Sequence, residues 1–541
     1  MDAFFRSIPV LLIFPTLAAL AWIRGGTHGD MLVPTIPWLL TLVFEVLICF
    51  PQRHWGEDAV QARQRCWRRI GHDPAFFLVL VFLLIVLGIP FLNKGLCPTC
   101  DYATIMTLPD SLAEKAPNPP IPFAPFCVNI RHHFEVLMWF LPALTAMLAA
   151  KHALLRHGKR LLVEMLVWNS AALAVFGFVE RATGAKFVMM WDQAEFDALV
   201  NAVRAATGTS YARPDPDFFA TFGYPNMAGS FFMLSFALSL GVWMTHVQEV
   251  EAEPRSEKLE VTRQRILLRF IRAHYALVPT VLNFLAVLST YCRAAISMTI
   301  FLAFLAFVYY ILRMLLARVD RARQLKRAAI NFLGAVVLLV IGVVFSPDRK
   351  GLAVTSGSSR SVMGELGTIT TLGMLDRVTG KTEYHSRVAM ELVKKYPLFG
   401  CGGWGYRHLS LNLMYPEEMK TPLSTGAANV HNDYLQFLVE HGIVGLFCLV
   451  GIFFCLIIPL FRDWGRLYRS ARFLASESAP ASPRAIYCFP PGAFWILAGS
   501  FAVAFHAVAD APLRSGAMLG LFFVSLACAD GYMPRQLENR R

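Results

Sequence analysis

Ile443-Val-Gly-Leu-Phe-Cys-Leu-Val-Gly-Ile-Phe-Phe-Cys-Leu-Ile-Ile-Pro-Leu460 runs for eighteen residues without a charge. At about 1.5 Å per residue, a helix of this length nearly crosses the roughly 30 Å hydrocarbon layer of a bilayer. Similar runs recur from end to end. They lie near Ile8 to Ile23, Met31 to Phe50, Pro74 to Leu92, Phe134 to Ala150, Leu161 to Val179, Phe218 to Met244, Tyr275 to Tyr291, Ala294 to Leu316, Ala328 to Phe345, Tyr434 to Leu460, Pro490 to Ala509 and Ser515 to Cys528. With 56% of 541 residues hydrophobic and 16% charged, the solvent for most of this chain is lipid rather than water. Backbone amides in lipid must be satisfied inside the segment or in a closed barrel, and continuous apolar runs without strand-like alternation leave only helices. The expected fold is an all-α integral membrane protein of about twelve transmembrane helices, a single polytopic domain over 1–541. The first run, with Arg6 ahead of it, has the look of a secretory signal peptide. A retained first helix is the reading taken, since a dozen spans make a cleavable leader unnecessary.

Lysine and arginine in the connections set orientation, because positive charge is retained on the cytoplasmic side. Alternate connections are basic: Arg53 to Arg69, Lys151 to Arg160, Arg255 to Arg272, Arg318 to Arg327, Arg462 to Arg484, and Arg535 to Arg541. All six fall on one side of a twelve-helix arrangement with both termini cytoplasmic. The net charge of +13 is then a topology signal that leaves nothing for nucleic acid to explain. The opposite, periplasmic side carries the long connection 346–432, between the ninth and tenth helices, and the smaller loops 93–133 and 181–217. Cys97, Cys100 and Cys127 share the loop 93–133, in a compartment where disulfides persist, and a bridge from Cys97 or Cys100 to Cys127 is one reading. One CxxC pair is weak support for a metal.

Ionisable residues at the outer ends of membrane helices are the informative ones. Arg293, in Ser289-Thr-Tyr-Cys-Arg-Ala-Ala-Ile-Ser297, sits between two apolar runs with almost no loop. It either binds an anion or snorkels to lipid headgroups. In Glu383-Tyr-His-Ser-Arg387-Val-Ala-Met-Glu-Leu-Val-Lys-Lys-Tyr-Pro397, apolar residues recur at helical spacing, so a short helix is predicted from about Ser386 until Pro397 stops it. Arg387 lies on its polar side, open to a ligand or to an (i, i+4) pair with Glu391. The glycines of Leu398-Phe-Gly-Cys-Gly-Gly-Trp-Gly405 permit a close-approaching backbone. His431, where the outer loop meets the tenth helix, is a candidate general base or a structural histidine. His506, Asp510 and Arg514 cluster at the last outer turn, as site residues or as a hydrogen-bonded plug. Pro225, in Thr221-Phe-Gly-Tyr-Pro-Asn-Met-Ala-Gly229, is expected to break the sixth span, leaving either a cavity near Asn226 or a packing kink. Asp215-Pro-Asp217 has metal-ligand spacing, but Arg213 competes for it.

These motifs in this order, Pro397 to Gly405, His431-Asn-Asp-Tyr-Leu-Gln436 and Glu440-His-Gly-Ile-Val-Gly445, resemble the O-antigen ligase and polymerase superfamily. Gly223-Tyr-Pro-Asn-Met-Ala-Gly229 is similar to that family's Gly/Asn-Pro-Asn element. Arg293 stands at its Ser-Arg-Gly element, with Cys292 and Ala294 as departures. The resemblance implies a GT-C-like glycosyltransferase of the bacterial inner membrane, with an undecaprenyl pyrophosphate-linked glycan as donor and a sugar hydroxyl, in a ligase that of lipid A core, as acceptor. It implies donor pyrophosphate binding by Arg293 and Arg387 and catalysis by His431. Asn226, Arg213, His506, Asp510 and Arg514 are possible supporting residues, and no cofactor or metal is called for. Repeat-unit polymerase, protein-directed transferase and lipid-linked glycan flippase are the alternatives.

Overall fold

A computed structural model describes residues 2–23, 25, 67–93, 121, 123–183, 220–222, 224–252, 263–316, 321–345, 385–413, 429–476 and 489–533. Those residues form no strand, and the protein is an all-α membrane protein. Helix α1 is Asp2–Trp22; α2, Pro74–Leu80, continues through a π-helical turn, Val81–Val86, and a 3-10 turn, Ile89–Phe91. Helices α3 (Ile130–His152), α4 (Arg156–Thr183), α5 (Pro225–Ala252), α6 (Arg263–His274), α7 (Leu277–Ser289), α8 (Arg293–Leu316) and α9 (Arg321–Phe345) follow. Then come α10 (385–395), α11 (Gly405–Leu409), α12 (Asp433–Ser476), α13 (Pro491–Ala509) and α14 (Gly516–Cys528). Eleven of the twelve apolar runs coincide with helices, and the run near Met31 to Phe50 lies outside the described residues. Eight helical segments among the described residues are long and apolar enough to cross a membrane.

Helix α5 is almost wholly buried and is the hub of the bundle, packed against α4, α6, α7, α8 and α13. Close approach depends on small residues. A Cβ on Gly229 would stand 2.8 Å from the Cβ atoms of Ala295 and Cys292, and one on Gly499 would stand 2.6 Å from that of Ala237. Such contacts bring whole helix faces together, which is how packing replaces a hydrophobic driving force in lipid.

Polar contacts gather at two ends. At one end, Asp73 pairs with Lys151 and His152, Lys159 with Asp530, Arg160 with Glu249 and Arg327 with Glu251. These described residues lie in or beside basic connections and share one face of the bundle.

Two sequence expectations change. Pro225 does not interrupt the sixth span but opens α5, where its missing N–H has no helical partner to lose. Part of the basic connection Arg255 to Arg272 is helical, since α6 begins at Arg263; α6 and α7 together make one apolar segment, Gln264–Ser289.

Helix α10 forms where it is predicted and stops before Pro397. Beyond it, Gly442 breaks α12 with a φ of 65°, freeing backbone groups on both sides. The Pro397–Gly402 backbone satisfies them. Cys401 and Gly402 donate to the carbonyls of Val439 and Glu440 at 3.0 and 2.8 Å, while Ile443 and Val444 donate to those of Pro397 and Leu398 at 2.9 and 3.1 Å. A Cβ on Gly442 would meet the Leu398 oxygen at 2.2 Å, and one on Gly400 would meet the Glu440 carbonyl carbon at 2.4 Å. Glycine at both positions is therefore what lets the Pro397–Gly402 segment lock into a membrane helix without orphaned amides.

Candidate functional site

At the other end of the bundle, five chain segments converge: the starts of α5, α8, α10 and α12, and the turn between α13 and α14. His431 precedes α12 with a φ of 57°, an uncommon conformation for a non-glycine residue. The Asn432 side chain caps the helix behind it, accepting from Leu435 N–H at 3.0 Å. His431 Nδ1 then stands 3.4 Å from Asp510 Oδ1, a long contact. An ionised carboxylate only accepts, so the shared hydrogen belongs to Nδ1, and Nε2 is left as the basic nitrogen.

Asp510 follows α13. Its carboxylate takes hydrogen bonds from Asn226 Nδ2, from the Ala511 N–H at 2.8 Å and, at 3.4 Å, from the Tyr224 hydroxyl. Burial pushes the carboxyl pKa up. The hydrogen bond from His431, the charges of His506 and His431, and the Ala511 N–H outweigh it and hold Asp510 below its ordinary value. Burial and the Asp510 charge raise Tyr224 well above the usual tyrosine range, so its hydroxyl remains a donor. One turn before Asp510, buried His506 contacts Ser230 Oγ through Nδ1 at 2.6 Å and faces Cys292 Sγ through Nε2 at 3.9 Å. Cys292 directly precedes Arg293, the first residue of α8, whose side chain is half-buried. This chain of contacts ties the Arg293 turn to Asp510 and thus to His431.

Arg387 arrives from the other side. Two residues before it, buried His385 packs its ring 5.7 Å from that of His431 and bonds the Tyr406 hydroxyl through Nδ1 at 3.0 Å. Arg387 itself pairs with Glu391 at 3.1 Å, the alternative partner recognised in the sequence. The start of α10 is thus beside His431.

Arg514 goes elsewhere. It makes a two-pronged pair with Glu440 at 3.0 and 3.2 Å, with 1% and 0% exposure, and lies 4.3 Å from the Trp404 ring. Gln436 joins by donating to Glu440 at 3.0 Å. The turn between α13 and α14 therefore divides: Asp510 and His506 face His431 and the Arg293 turn, and Arg514 pins the glycine-rich segment to α12. Arg213, Asp215, Asp217, Cys97 and Cys100 lie outside the described residues. Cys127 is buried, its thiol 3.4 Å from the Pro90 carbonyl.

Residues 278–450 match the family model described as O-antigen ligase. That segment is similar to the O-antigen ligase family. It contains Arg293, Arg387 and His431, whereas Tyr224, Asn226, His506 and Asp510 come from outside it and complete the constellation. No curated protein matches the chain. Sequence reasoning gave no role to Tyr224 or His385. Tyr224 stands inside the quoted Gly223 to Gly229 element, and His385 two residues before a singled-out arginine in a loop helix, so both were within reach.

Proposed function

We propose that this protein, similar over residues 278–450 to O-antigen ligases, is an inverting glycosyltransferase of the bacterial inner membrane. In this reading it moves a glycan from undecaprenyl pyrophosphate to a sugar hydroxyl of lipid A core on the periplasmic side. The observation that carries the reading is the convergence of His431, oriented by Asp510, with the chain segments that bear Arg293 and Arg387. His431 Nε2 removes the acceptor hydroxyl proton as that oxygen attacks the anomeric carbon from the face opposite the pyrophosphate. The bond to the pyrophosphate oxygen breaks, and its electron pair leaves with a polyanion. Guanidinium forks match phosphate oxygens bidentately and stabilise charge where it develops. No metal is assigned a role.

A glycan gel of a strain lacking the gene tests the reading. Loss of ligation leaves long polymer on its carrier lipid and bare cores. Cores capped by a single repeat would instead indicate a polymerase. Purified protein that releases no undecaprenyl pyrophosphate from donor and acceptor together would point to a flippase and overturn the enzyme reading.

A further inference from the structure

We propose that Tyr224 and Asn226, at the start of α5, are positioning residues that clamp the Asp510 carboxylate so that it holds His431 with Nε2 turned to the acceptor. The proposal rests on the reading of His431 as the general base. Asp510 stands at the C-terminal end of α13, where the backbone N–H of Asp510 already bonds the His506 carbonyl at 3.1 Å. The negative end of a helix dipole disfavours a carboxylate there, so α13 alone would turn it away or protonate it.

Helix α5 supplies the opposite field. Pro225 starts the helix, Tyr224 immediately precedes it, and the Ala228 N–H bonds the Tyr224 carbonyl at 3.1 Å, so the positive end of α5 faces Asp510. Asn226 Nδ2 donates to Asp510 Oδ2 and stands 3.2 Å from the Tyr224 hydroxyl, while that hydroxyl reaches Asp510 Oδ1, the oxygen that also meets His431. Both carboxylate oxygens are thereby fixed by one helix turn while the third partner, His431, comes from another. Removing the clamp leaves Oδ1 with the Ala511 N–H at 2.8 Å but takes the Asn226 donor from Oδ2, so the carboxylate can swing about Oδ1, and a hydrogen bond to His431 already at 3.4 Å has little length to lose.

The test uses full-length protein in detergent, with the lipid extract of a strain lacking the gene as source of both donor and acceptor, the donor glycan being radiolabelled. Tyr224→Phe removes only the hydroxyl and keeps the ring, so folding is preserved; elution as a single peak in size exclusion checks this for each variant. Turnover is expected to fall roughly three- to tenfold in Tyr224→Phe and roughly tenfold to a hundredfold in Asn226→Ala, with apparent donor KM within about twofold of wild type. In an Asp510→Ala background, neither change should cost anything further, because the residues act through Asp510. A merely structural role gives losses that multiply with that of Asp510→Ala, and this outcome, or wild-type turnover in both single variants, overturns the clamp. His431→Ala in the same assay keeps the two readings apart. If it remains active, the base assignment falls and the clamp with it; if it is inactive while the losses multiply, only the clamp falls.

Discussion

Glu391 lies one helical turn beyond Arg387, and its Oε1 is 3.1 Å from the guanidinium Nη1. Both side chains are partly solvent-exposed, and pairs of this kind contribute about 0.3 to 0.5 kcal/mol. So weak a contact can be exchanged for phosphate oxygens when a polyanion arrives. Glu391→Gln is therefore expected to leave transfer within about twofold of wild type. Arg387→Lys keeps the charge but loses the planar fork, so transfer should fall by about tenfold or more. Tolerance of lysine at 387 in an assay of ligated glycan would assign Arg387 to the helix rather than to the donor.

Gly442 and Gly400 hold the Pro397–Gly402 segment and α12 together through backbone contacts too close for any side chain. Gly442→Ala combines a strained positive φ, costing about 1 to 3 kcal/mol, with a clash against the Leu398 carbonyl. A large drop in melting temperature in detergent is expected, together with loss of transfer. Gly334→Ala in α9 is the control, since a Cβ there meets nothing within 4 Å and alanine favours a helix. Equal melting temperatures for the two variants would show that the interlock is not a constraint.

Most of the fold was legible because lipid imposes a rule that sequence displays directly: a span must be apolar, continuous and helical. The short helix bearing Arg387 was legible for the same reason, through its apolar spacing and the proline that ends it. The break at Gly442 and the role of Pro225 were not, because a proline or glycine marks a change of direction without saying whether it starts, ends or kinks a helix. The partners of Asp510 were least accessible. Tyr224 is 286 residues away in sequence, and no periodicity links a helix start to a distant turn. Arg514 could not be separated from Asp510 by spacing, although one binds Glu440 and the other faces His431.

The chain has eleven cysteines, and Cys97, Cys100 and Cys127 lie within the stretch 93–133 expected from the sequence to be one periplasmic loop. If one of these bridges Cys127, alkylation of the denatured, unreduced protein should modify two fewer than the full set, and intact-mass measurement counts them. Modification of all eleven before reduction rules the bridge out.

Transfer is expected to survive chelator, because the proposed chemistry places guanidinium groups, not a cation, against the leaving pyrophosphate. Activity lost to chelator and restored by manganese or magnesium would overturn this and bring Asp215 and Asp217 forward as ligands.

His431→Ala should lower transfer on the order of 10²- to 10⁴-fold, the usual contribution of a general base, with donor binding near normal. Arg293→Lys should instead weaken donor binding as well as turnover, since a point charge replaces a fork. Asp510 supplies the pH test. Its folded-state pKa is depressed, so the stability it contributes is present above the unfolded carboxyl value of about 3.9 and is lost as pH falls through the lower folded value. Above pH 5, Asp510 therefore stays ionised and keeps its hold on His431. Asp510→Asn gives the matching outcome in the tautomer. The amide can donate to Nδ1, which moves the imidazole hydrogen to Nε2 and removes the base without removing His431. A folded Asp510→Asn protein with undiminished turnover would show that His431 needs no orienting carboxylate, and a folded, active His431→Ala would remove it from the chemistry altogether.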